Sequence, residues 1–332
     1  MQYLRYLFLL SLPGLTVASL AMEGVLRVSG YTPYYLDGRA FVPSQNPEIL
    51  YELRPGFRGL YGGVPISINS QGFRGKELSN RNGKPAFRVV VVGDSIAFGQ
   101  GVPEGETLAE QLTARLQSKF RLPVEAVNLG VPGYDTCQEY WRFKERALPL
   151  KPQVALLVYA ENDTGPPVFQ VKGDAVVSPD VRTGLFGDLM AAARKYSAVY
   201  NLAWTRWQVL KRRTFPIDHY REILTREFHE GNPRWRRSRA CLAELISLAR
   251  ARSIRIIVVP FPVLGGLAEK PYPFEGYITT VCEAARAERA ECLDVVPILQ
   301  HPGIRLTISS VETHPSADVY MRIAEQAAEM LL

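Results

Sequence analysis

The sequence predicts an α/β fold with a central parallel sheet that helices cover on both faces. Short apolar runs rich in β-branched residues recur along the chain, and such runs are typical of strands buried on both sides. Stretches with apolar residues at helical spacing alternate with these runs. This alternation favours a parallel sheet, because a helix supplies the crossover between neighbouring parallel strands.

The first predicted strand covers residues 88–92, where four valines follow an arginine and Gly93 ends the run. The first amphipathic helix is predicted over residues 107–120, where leucines stand four residues apart. The later elements are predicted as a strand at 124–129, a helix at 137–148, a strand at 154–159, a helix at 241–252, a strand at 254–259, a helix at 281–290, a weak fifth strand at 292–296 and a last helix at 317–332.

Two stretches lie outside this alternation. Residues 31–84 are rich in Pro, Gly, Tyr and Asn, which predicts an extended N-terminal arm with one hairpin. Residues 165–240 contain several aromatic residues and then a basic run, without alternating strands and helices. We expect this stretch to form a largely helical insertion over the sheet of a domain that covers residues 85–332.

The positive charge of the chain is concentrated in one segment. The sequence has 39 Lys and Arg residues against 33 Asp and Glu residues, a net charge of +6. Residues 206–239 hold ten basic and four acidic residues, so ten minus four accounts for the whole +6. This uneven distribution argues against a nucleic-acid-binding protein. The segment is either a solvated helical face or a surface for anionic lipid or anionic polysaccharide.

The N-terminal segment predicts export from the cytoplasm. Residues 6–22 carry no charge, and Arg5 precedes them. Seventeen residues lie at the lower limit for a membrane-spanning helix, while the small residues Ser19 and Ala21 suit a signal-peptide cleavage site. Residues 1–30 are therefore predicted as an uncleaved membrane anchor or a signal peptide, and a buried helix is the third alternative. Either of the first two places the remaining chain in the cell envelope, in the periplasm or outside the cell.

The four cysteines form neither a CxxC pair nor a cluster with histidine, so no zinc or other metal site is expected. Export would permit disulfides. Cys282 and Cys292 stand ten residues apart and are either bonded or free and buried. Cys137 and Cys241 are distant in the sequence.

Polar residues follow three of the predicted strands, where ligands bind in parallel α/β sheets. Ser95 follows the first strand and is placed to act as a nucleophile. Its own N–H, the N–H of Gly133 and the side-chain amide of Asn162 are predicted to hold an oxyanion. His314, in a loop before the last helix, is the predicted general base.

Simpler structural interpretations exist for each of these side chains. Ser95 suits a helix N-cap, and Asn162 suits an Asx turn. His314 taken alone suits a half-buried surface position.

The four segments that contain these residues together resemble the SGNH, or GDSL-type, hydrolase family. They read VVVVGDSIAFGQGV, VNLGVPGYDT, LLVYAENDT and ETHPSADVYMRIAE, in the order of the family. The resemblance implies a three-layer flavodoxin-like fold and a serine esterase without a metal or another cofactor. It assigns Ser95 as the nucleophile, His314 as the base, and Ser95, Gly133 and Asn162 as the oxyanion hole.

The chain departs from the family pattern beside the base. Val311 stands where the family has the Asp that orients the imidazole, and Ala160 replaces a Gly. We expect a Ser95–His314 dyad in which either Glu312 or a backbone carbonyl orients the imidazole, and a solvated loop position is the simpler interpretation of Glu312. Residues 69–75, NSQGFRG, resemble a stretch that precedes the hydrolase segments in envelope-bound bacterial members, and we assign this stretch no chemical role.

The resemblance implies hydrolysis of an O-acyl ester, with O-acetyl as the expected group. The expected substrate is an acylated small molecule or an envelope or extracellular polysaccharide. Two alternatives remain at this point: an O-acetyltransferase of the same fold, and a non-catalytic envelope protein that lost activity with the Asp.

Overall fold

The computed structural model describes residues 2–78, 87–177, 185–213, 216–309 and 312–332. Val311, the end of the predicted arm and short parts of the predicted insertion lie outside these residues. The strands are β1 (Phe41–Pro43), β2 (Tyr51–Leu53), β3 (Arg58–Tyr61), β4 (Val64–Ser67), β5 (Phe87–Gly93), β6 (Val124–Asn128), β7 (Val154–Tyr159), β8 (Gln170–Lys172), β9 (Ala175–Val177), β10 (Arg255–Pro260) and β11 (Glu291–Cys292).

The α-helices include one N-terminal helix, three very short ones and the long helices around the sheet. They are α1 (Gln2–Val28), α2 (Ser95–Phe98), α3 (Leu108–Gln117), α4 (Thr136–Arg142), α5 (Leu185–Tyr196), α6 (Ala198–Arg213), α7 (Ile217–Glu227), α8 (Pro233–Ala251), α9 (Glu275–Ala287), α10 (Val296–Leu299) and α11 (Ala317–Met330). A π-helical turn, Phe143–Ala147, directly follows α4. Short 3₁₀ turns occur at Gly38–Ala40, Glu104–Glu106, Leu148–Leu150 and Leu264–Gly266.

Five parallel strands form the central sheet in the order β11-β10-β7-β5-β6. Numbered by chain position and taken from β6, this is the 2-1-3-4-5 order of flavodoxin-like sheets. The predicted parallel α/β fold is therefore confirmed. The fifth strand is shorter than predicted, because only Glu291 and Cys292 pair with β10.

Apolar side chains pack on both faces of this sheet. Val91 of β5 pairs with Leu156 of β7, and Leu156 pairs with Ile257 of β10. Each of the three is at most 1% exposed. Burying such a side chain stabilises a fold by roughly 1.5–3 kcal/mol. Consecutive residues of a strand point to opposite faces, and every residue of β7 is buried, so other elements cover both faces. Around the sheet, α3 packs against α11, and α4 packs against α8.

The predicted arm and insertion contain more strand than expected. In the arm, β1 pairs with β2 and β3 pairs with β4, both antiparallel, so two strand pairs form where one hairpin was expected. In the insertion, β8 and β9 form a hairpin that the prediction of a largely helical stretch misses. After this hairpin, the described insertion consists mainly of α5, α6, α7 and the start of α8.

The chain divides into two compact units, and their boundaries differ from the predicted domain boundaries. One unit comprises Met1–Leu36 and Asp180–Thr214, and the other comprises Asp37–Pro179 and Phe215–Leu332. The second unit contains the sheet. The predicted insertion is thus split, with α5 and α6 in the first unit and α7 and α8 in the second.

Within the first unit, α1 is joined to the turn between α5 and α6 by charged groups. Glu23 accepts hydrogen bonds from the backbone N–H groups of Ala198 and Val199, both at 3.0 Å. These backbone hydrogen bonds lower the pKa of Glu23 to about 2. Arg27 donates to the carbonyl oxygen of Tyr196 at 2.6 Å. None of the helices in the described ranges combines the length and the apolar character needed to cross a bilayer. The predicted membrane anchor or signal peptide at residues 1–30 is not confirmed.

Two disulfides link elements of the second unit. Cys137 of α4 bonds to Cys241 of α8, with 5.0 Å between their Cα atoms. Cys282 of α9 bonds to Cys292 of β11, with 5.4 Å between their Cα atoms. Of the two alternatives left open for Cys282 and Cys292, the structure has the bond.

Candidate active site

Ser95 is the first residue of α2 and follows the carboxyl end of β5. The turn requires glycine at position 93, where φ is +148° and a Cβ atom would lie 2.7 Å from the carbonyl oxygen of Val158. Asp94 caps the short helix by accepting the backbone N–H of Ile96 at 2.8 Å. Since β5 and β7 flank the point where the strand order reverses, Ser95 lies where flavodoxin-like sheets bind ligands.

His314 reaches Ser95 from the loop before α11. The backbone N–H of Ile308 donates to the carbonyl oxygen of His314 at 3.1 Å, which holds the two sides of this loop together. The imidazole Nε2 lies 2.9 Å from Ser95 Oγ. The predicted nucleophile and the predicted base, separated by 219 positions in the chain, are therefore in hydrogen-bond contact.

Glu312 completes a row of three side chains. Its Oε1 contacts Nδ1 of His314 and also accepts the backbone N–H of His314 at 3.1 Å. A carboxylate beside Nδ1 keeps the proton on that nitrogen, so Nε2 is left to accept the proton of Ser95. Burial alone lowers the pKa of His314, but the hydrogen bond and the charge of Glu312 outweigh it, and the net pKa is raised.

The structure also brings Asn162 to this site. The Asn162 side-chain amide donates to Asp94 Oδ2 at 3.1 Å, and Ser95 Oγ lies 3.2 Å from the same oxygen. Asn162 is exposed and follows β7, the strand next to β5. The Asn162 amide therefore lies close to Ser95, because both side chains contact the same oxygen of Asp94.

Gly133 is less directly connected to the other predicted site residues. Its φ of +78° favours glycine, and a Cβ atom would lie 2.7 Å from Val168 Cβ. Its other close neighbours are Phe169 and Tyr51. Among the hydrogen bonds of the described residues, none joins Gly133 to Ser95.

A cavity of about 290 Å³ opens beside Ser95. One part of its wall is apolar and comes from the segment after β10, and another part is polar and comes from the segment after β7. Its lining residues are Ser95, Ile96, Glu161, Asn162, Phe261, Pro262, Val263, Leu264, Gly265, Thr307, Thr313, His314 and Pro315. Nowhere in the described part of the chain do three or more His, Cys, Asp or Glu side chains form a group that could hold a metal ion.

Arg74 supports α2, although the sequence alone assigned residues 69–75 no role. Its buried guanidinium donates to the carbonyl oxygens of Phe98, Gly99 and Val102 at 2.9, 2.5 and 2.6 Å. It also lies 4.7 Å from the centre of the Phe98 ring. Burial lowers the pKa of Arg74 to about 10, so the side chain is charged at neutral pH. A cation at the C-terminus of a helix stabilises its last carbonyl groups.

Glu161 is a second residue that sequence reasoning missed. It stands between Ala160 and Asn162 and lines the cavity next to Ser95. The Tyr220 hydroxyl of α7 donates to Glu161 Oε1 at 3.4 Å. In the sequence, the indication of a role for Glu161 is its position directly before Asn162, the predicted oxyanion donor. Nothing in the sequence indicated its partner on α7.

The family of the chain follows from comparison with known proteins. Residues 91–322 match the model of the GDSL-like lipase/acylhydrolase family. The chain belongs to this family. The match includes Ser95, Gly133, Asn162 and His314, and the esterases of the family are carboxylic-ester hydrolases.

Solved structures similar to the chain include the lipase/acylhydrolase from Enterococcus faecalis, at 16% identity and a TM-score of 0.43, covering 74% of this chain and 94% of that chain. A catalytic mutant of an acetylxylan esterase from Geobacillus stearothermophilus matches at 15% identity and a TM-score of 0.42, covering 74% and 92%. The psychrotrophic esterase EstA from Pseudoalteromonas sp. matches at 11% identity and a TM-score of 0.41, covering 74% and 97%. Comparison with curated proteins gives no significant match.

Proposed function

We propose that this chain is a serine esterase in which Ser95 attacks the ester carbonyl carbon. The observation that carries the proposal is the contact of Ser95 Oγ with His314 Nε2 at 2.9 Å, on an imidazole whose Nδ1 contacts Glu312. As the Ser95 oxygen bonds to the carbonyl carbon, Nε2 takes the hydroxyl proton. Glu312 stabilises the imidazolium that this transfer creates.

The tetrahedral intermediate carries a negative oxygen that needs hydrogen-bond donors. We assign this role to the backbone N–H groups of Ser95 and Gly133 and to the Asn162 amide. Collapse of the intermediate breaks the bond to the alcohol oxygen, which takes the proton from His314. A water molecule then attacks the acyl group on Ser95 in the same way, and the carboxylic acid leaves.

We propose a small O-acyl group, with O-acetyl as the first choice, on an envelope or extracellular carbohydrate. The cavity of about 290 Å³ supports a short acyl group, because it is small for a ligand pocket. The two disulfides support an oxidising compartment outside the cytoplasm, where such bonds persist. The uncharged residues 6–22 support export by an anchor or a signal peptide.

For the basic stretch at residues 206–239, we favour a solvated, ion-paired helical face over a lipid-binding surface. Arg237 pairs with Asp135 at 2.7 Å, and Arg239 pairs with Glu230 at 2.6 Å. Both pairs reduce the charge available to an anionic membrane. Vesicles containing phosphatidylserine should therefore bind the protein no better than neutral vesicles. Strong selective binding to the anionic vesicles would instead support a lipid-binding surface.

Hydrolysis of 4-nitrophenyl acetate by the whole chain tests the proposal. We expect the wild type to turn over, and Ser95→Ala and His314→Ala each to lose at least about 10³-fold in kcat while keeping the wild-type circular dichroism. Ser118→Ala, at an exposed serine after α3, is the matched control and should keep full activity.

Three other outcomes would contradict the proposal. Activity that survives Ser95→Ala would refute the serine mechanism. A folded wild type without turnover would favour the non-catalytic alternative. Transfer of the acetyl group to an added sugar, in place of acetate release, would favour the acetyltransferase.

A further inference from the structure

Glu161 places a carboxylate in the wall of the cavity that contains the reacting serine. It lines this cavity together with Ser95 and His314, and it is half-buried. The hydroxyl of Tyr220 donates to it at 3.4 Å and holds it in place from α7. Tyr220 in turn packs edge-on against Phe274, with 5.7 Å between the ring centres. Tyr220 of α7, fixed by this packing, thus holds the Glu161 carboxylate at the cavity.

Among the described residues that line the cavity, only His314 can carry a positive charge near this carboxylate, and it is neutral when it acts as the base. Among these described lining residues, Glu161 is the one acidic side chain, and none is Lys or Arg. Other lining side chains, such as Phe261 and Leu264, are apolar. Apolar walls exclude water and lower the local dielectric constant, which strengthens the interaction between charges.

The ionisation of Glu161 reflects two opposing effects. Burial and the charge of Asp94 raise its pKa, while the hydrogen bonds from its own backbone N–H and from Tyr220, together with the charge of His314, oppose this rise. A pH of 8.5 lies about four units above the ordinary pKa of a glutamate carboxyl and therefore favours its charged form. The measurements are made at this pH for that reason.

We infer that Glu161 sets the charge selectivity of the site, which admits uncharged and cationic esters and disfavours esters with an anionic group near the reacting carbonyl. An uncharged carbohydrate ester can donate a hydroxyl hydrogen bond to this carboxylate, whereas an anionic ester meets a like charge in a cavity that offers no Lys or Arg among its described lining residues. The inference rests on the proposed esterase function. Glu161 acts on specificity and has no part in the proton transfers.

Three phenyl acetates that differ only in the para substituent test this inference at pH 8.5. The substituents are nitro, which is neutral; sulfonate, which is anionic; and trimethylammonium, which is cationic. All three carry the same acetyl group. Their leaving groups differ in reactivity, but this difference is the same for every enzyme variant and cancels when the ratios of two variants are compared. The measured quantity is the ratio of kcat/KM for the anionic ester to kcat/KM for the neutral ester.

Glu161→Gln keeps the size of the side chain and an oxygen that accepts from Tyr220, but it removes the charge. We expect this variant to raise the anionic-to-neutral ratio about tenfold and to lower the cationic-to-neutral ratio. Tyr220→Phe removes only the hydroxyl that holds the carboxylate, and we expect a smaller change in the same direction. Glu283→Gln, at an exposed position of α9, makes the same charge change away from the cavity and should leave both ratios unchanged.

The outcomes separate this inference from the proposed function. Turnover of the neutral ester with ratios that Glu161→Gln leaves within twofold of wild type overturns the role of Glu161 and leaves the esterase proposal intact. Absence of turnover for all three esters overturns both. A ratio that changes equally in Glu283→Gln overturns the local role in favour of a general effect of net charge.

Discussion

The carboxylate of Glu312 contacts Nδ1 of His314 from only two residues earlier in the chain. The family pattern has an Asp three residues before the histidine, and this chain has Val311 there. Glu312 approaches from a different backbone position, and its side chain is one methylene longer than that of Asp. The side chain of Glu312 is 7% exposed, so its charge acts on the imidazole with little screening by water.

We expect Glu312→Gln to separate the charge of Glu312 from its hydrogen bond. The Gln amide oxygen can still accept the Nδ1 proton, but the stabilisation of the imidazolium is lost. The base must be neutral to accept a proton, so wild-type kcat/KM should fall as the pH drops through a His314 pKa above its usual value. In Glu312→Gln this acid limb should move to lower pH, and the plateau should fall by about 10- to 10⁴-fold.

A pH series of kcat/KM with 4-nitrophenyl acetate measures both effects. Glu283→Gln on α9 is the control and should keep the wild-type profile. An acid limb that stays in place, or moves to higher pH, would show that Glu312 does not set the pKa of His314.

Arg74 provides a second prediction, about the support of the turn that begins with Ser95. In Arg74→Ala, the carbonyl oxygen of Val102 loses its buried donor, while Phe98 keeps a hydrogen bond from Asn128 at 3.1 Å and Gly99 keeps one from the backbone N–H of Val102 at 3.2 Å. One unsatisfied buried group destabilises a fold by about 1–3 kcal/mol. We expect this loss in the free energy of unfolding measured with urea.

Arg74→Lys distinguishes general stability from positioning of the serine. The ammonium keeps the charge but cannot reproduce the planar guanidinium that reaches several carbonyls at once. We expect it to recover part of the stability of Arg74→Ala, while kcat stays reduced and KM changes little. Arg286→Ala, at an exposed position of α9, should match wild type in both measurements. Full recovery of kcat in Arg74→Lys would reduce Arg74 to a general stabilising residue.

The sequence alone predicts the elements whose signal is local. The third strand is predicted at 154–159, the bounds of β7, because a continuous apolar run ends abruptly in polar residues. Ser95, Asn162 and His314 are predicted because each follows a strand or precedes a helix in a recognisable segment. Their mutual contacts follow from the strand order, which brings the ends of β5 and β7 side by side.

Other features depend on contacts that no local pattern records. The sequence does not distinguish Glu312 from a backbone carbonyl as the partner of His314 Nδ1, because the choice depends on the path of the loop around Glu312. Arg74 is buried by a chain segment about 25 residues further on, at Phe98 and Gly99. The bond between Cys137 and Cys241 joins helices 104 positions apart. Each of these three features depends on how the chain folds, so the sequence alone does not predict it.

The two disulfides should contribute unequally to stability. The Cys137–Cys241 bond closes a loop of 104 positions, and the Cys282–Cys292 bond closes a loop of 10. A longer closed loop removes more entropy from the unfolded chain, which corresponds to about 4.7 kcal/mol for the first bond and about 2.7 kcal/mol for the second. Urea unfolding of the paired Cys→Ser variants measures this difference. Equal losses would show that strain or residual structure outweighs loop length.

The last prediction concerns Glu139 of α4, a buried carboxyl behind the site. Neither of its oxygens has a hydrogen-bond partner within the described residues, and it is 1% exposed. Burial, with added repulsion from Asp94 and Asp135, raises its pKa well above the usual value. Burial and Glu139 raise the pKa of Asp163 in the same way.

The sign of the pH effect follows from these raised pKa values. Below about pH 4.5 the carboxyl is protonated in both states, and stability is unaffected. As the pH rises above this value, the unfolded chain releases the proton while the folded chain keeps it, so the free energy of unfolding falls until the pH passes the folded pKa. Glu139→Gln does not titrate, and it also relieves Asp163. We therefore expect its stability relative to wild type to increase between pH 5 and pH 8, by up to about 1.4 kcal/mol per pH unit. Urea unfolding at each pH measures the difference, with Glu283→Gln as a carboxylate control that should show no trend. A difference that stays constant with pH would mean that Glu139 is solvated or paired in the folded protein.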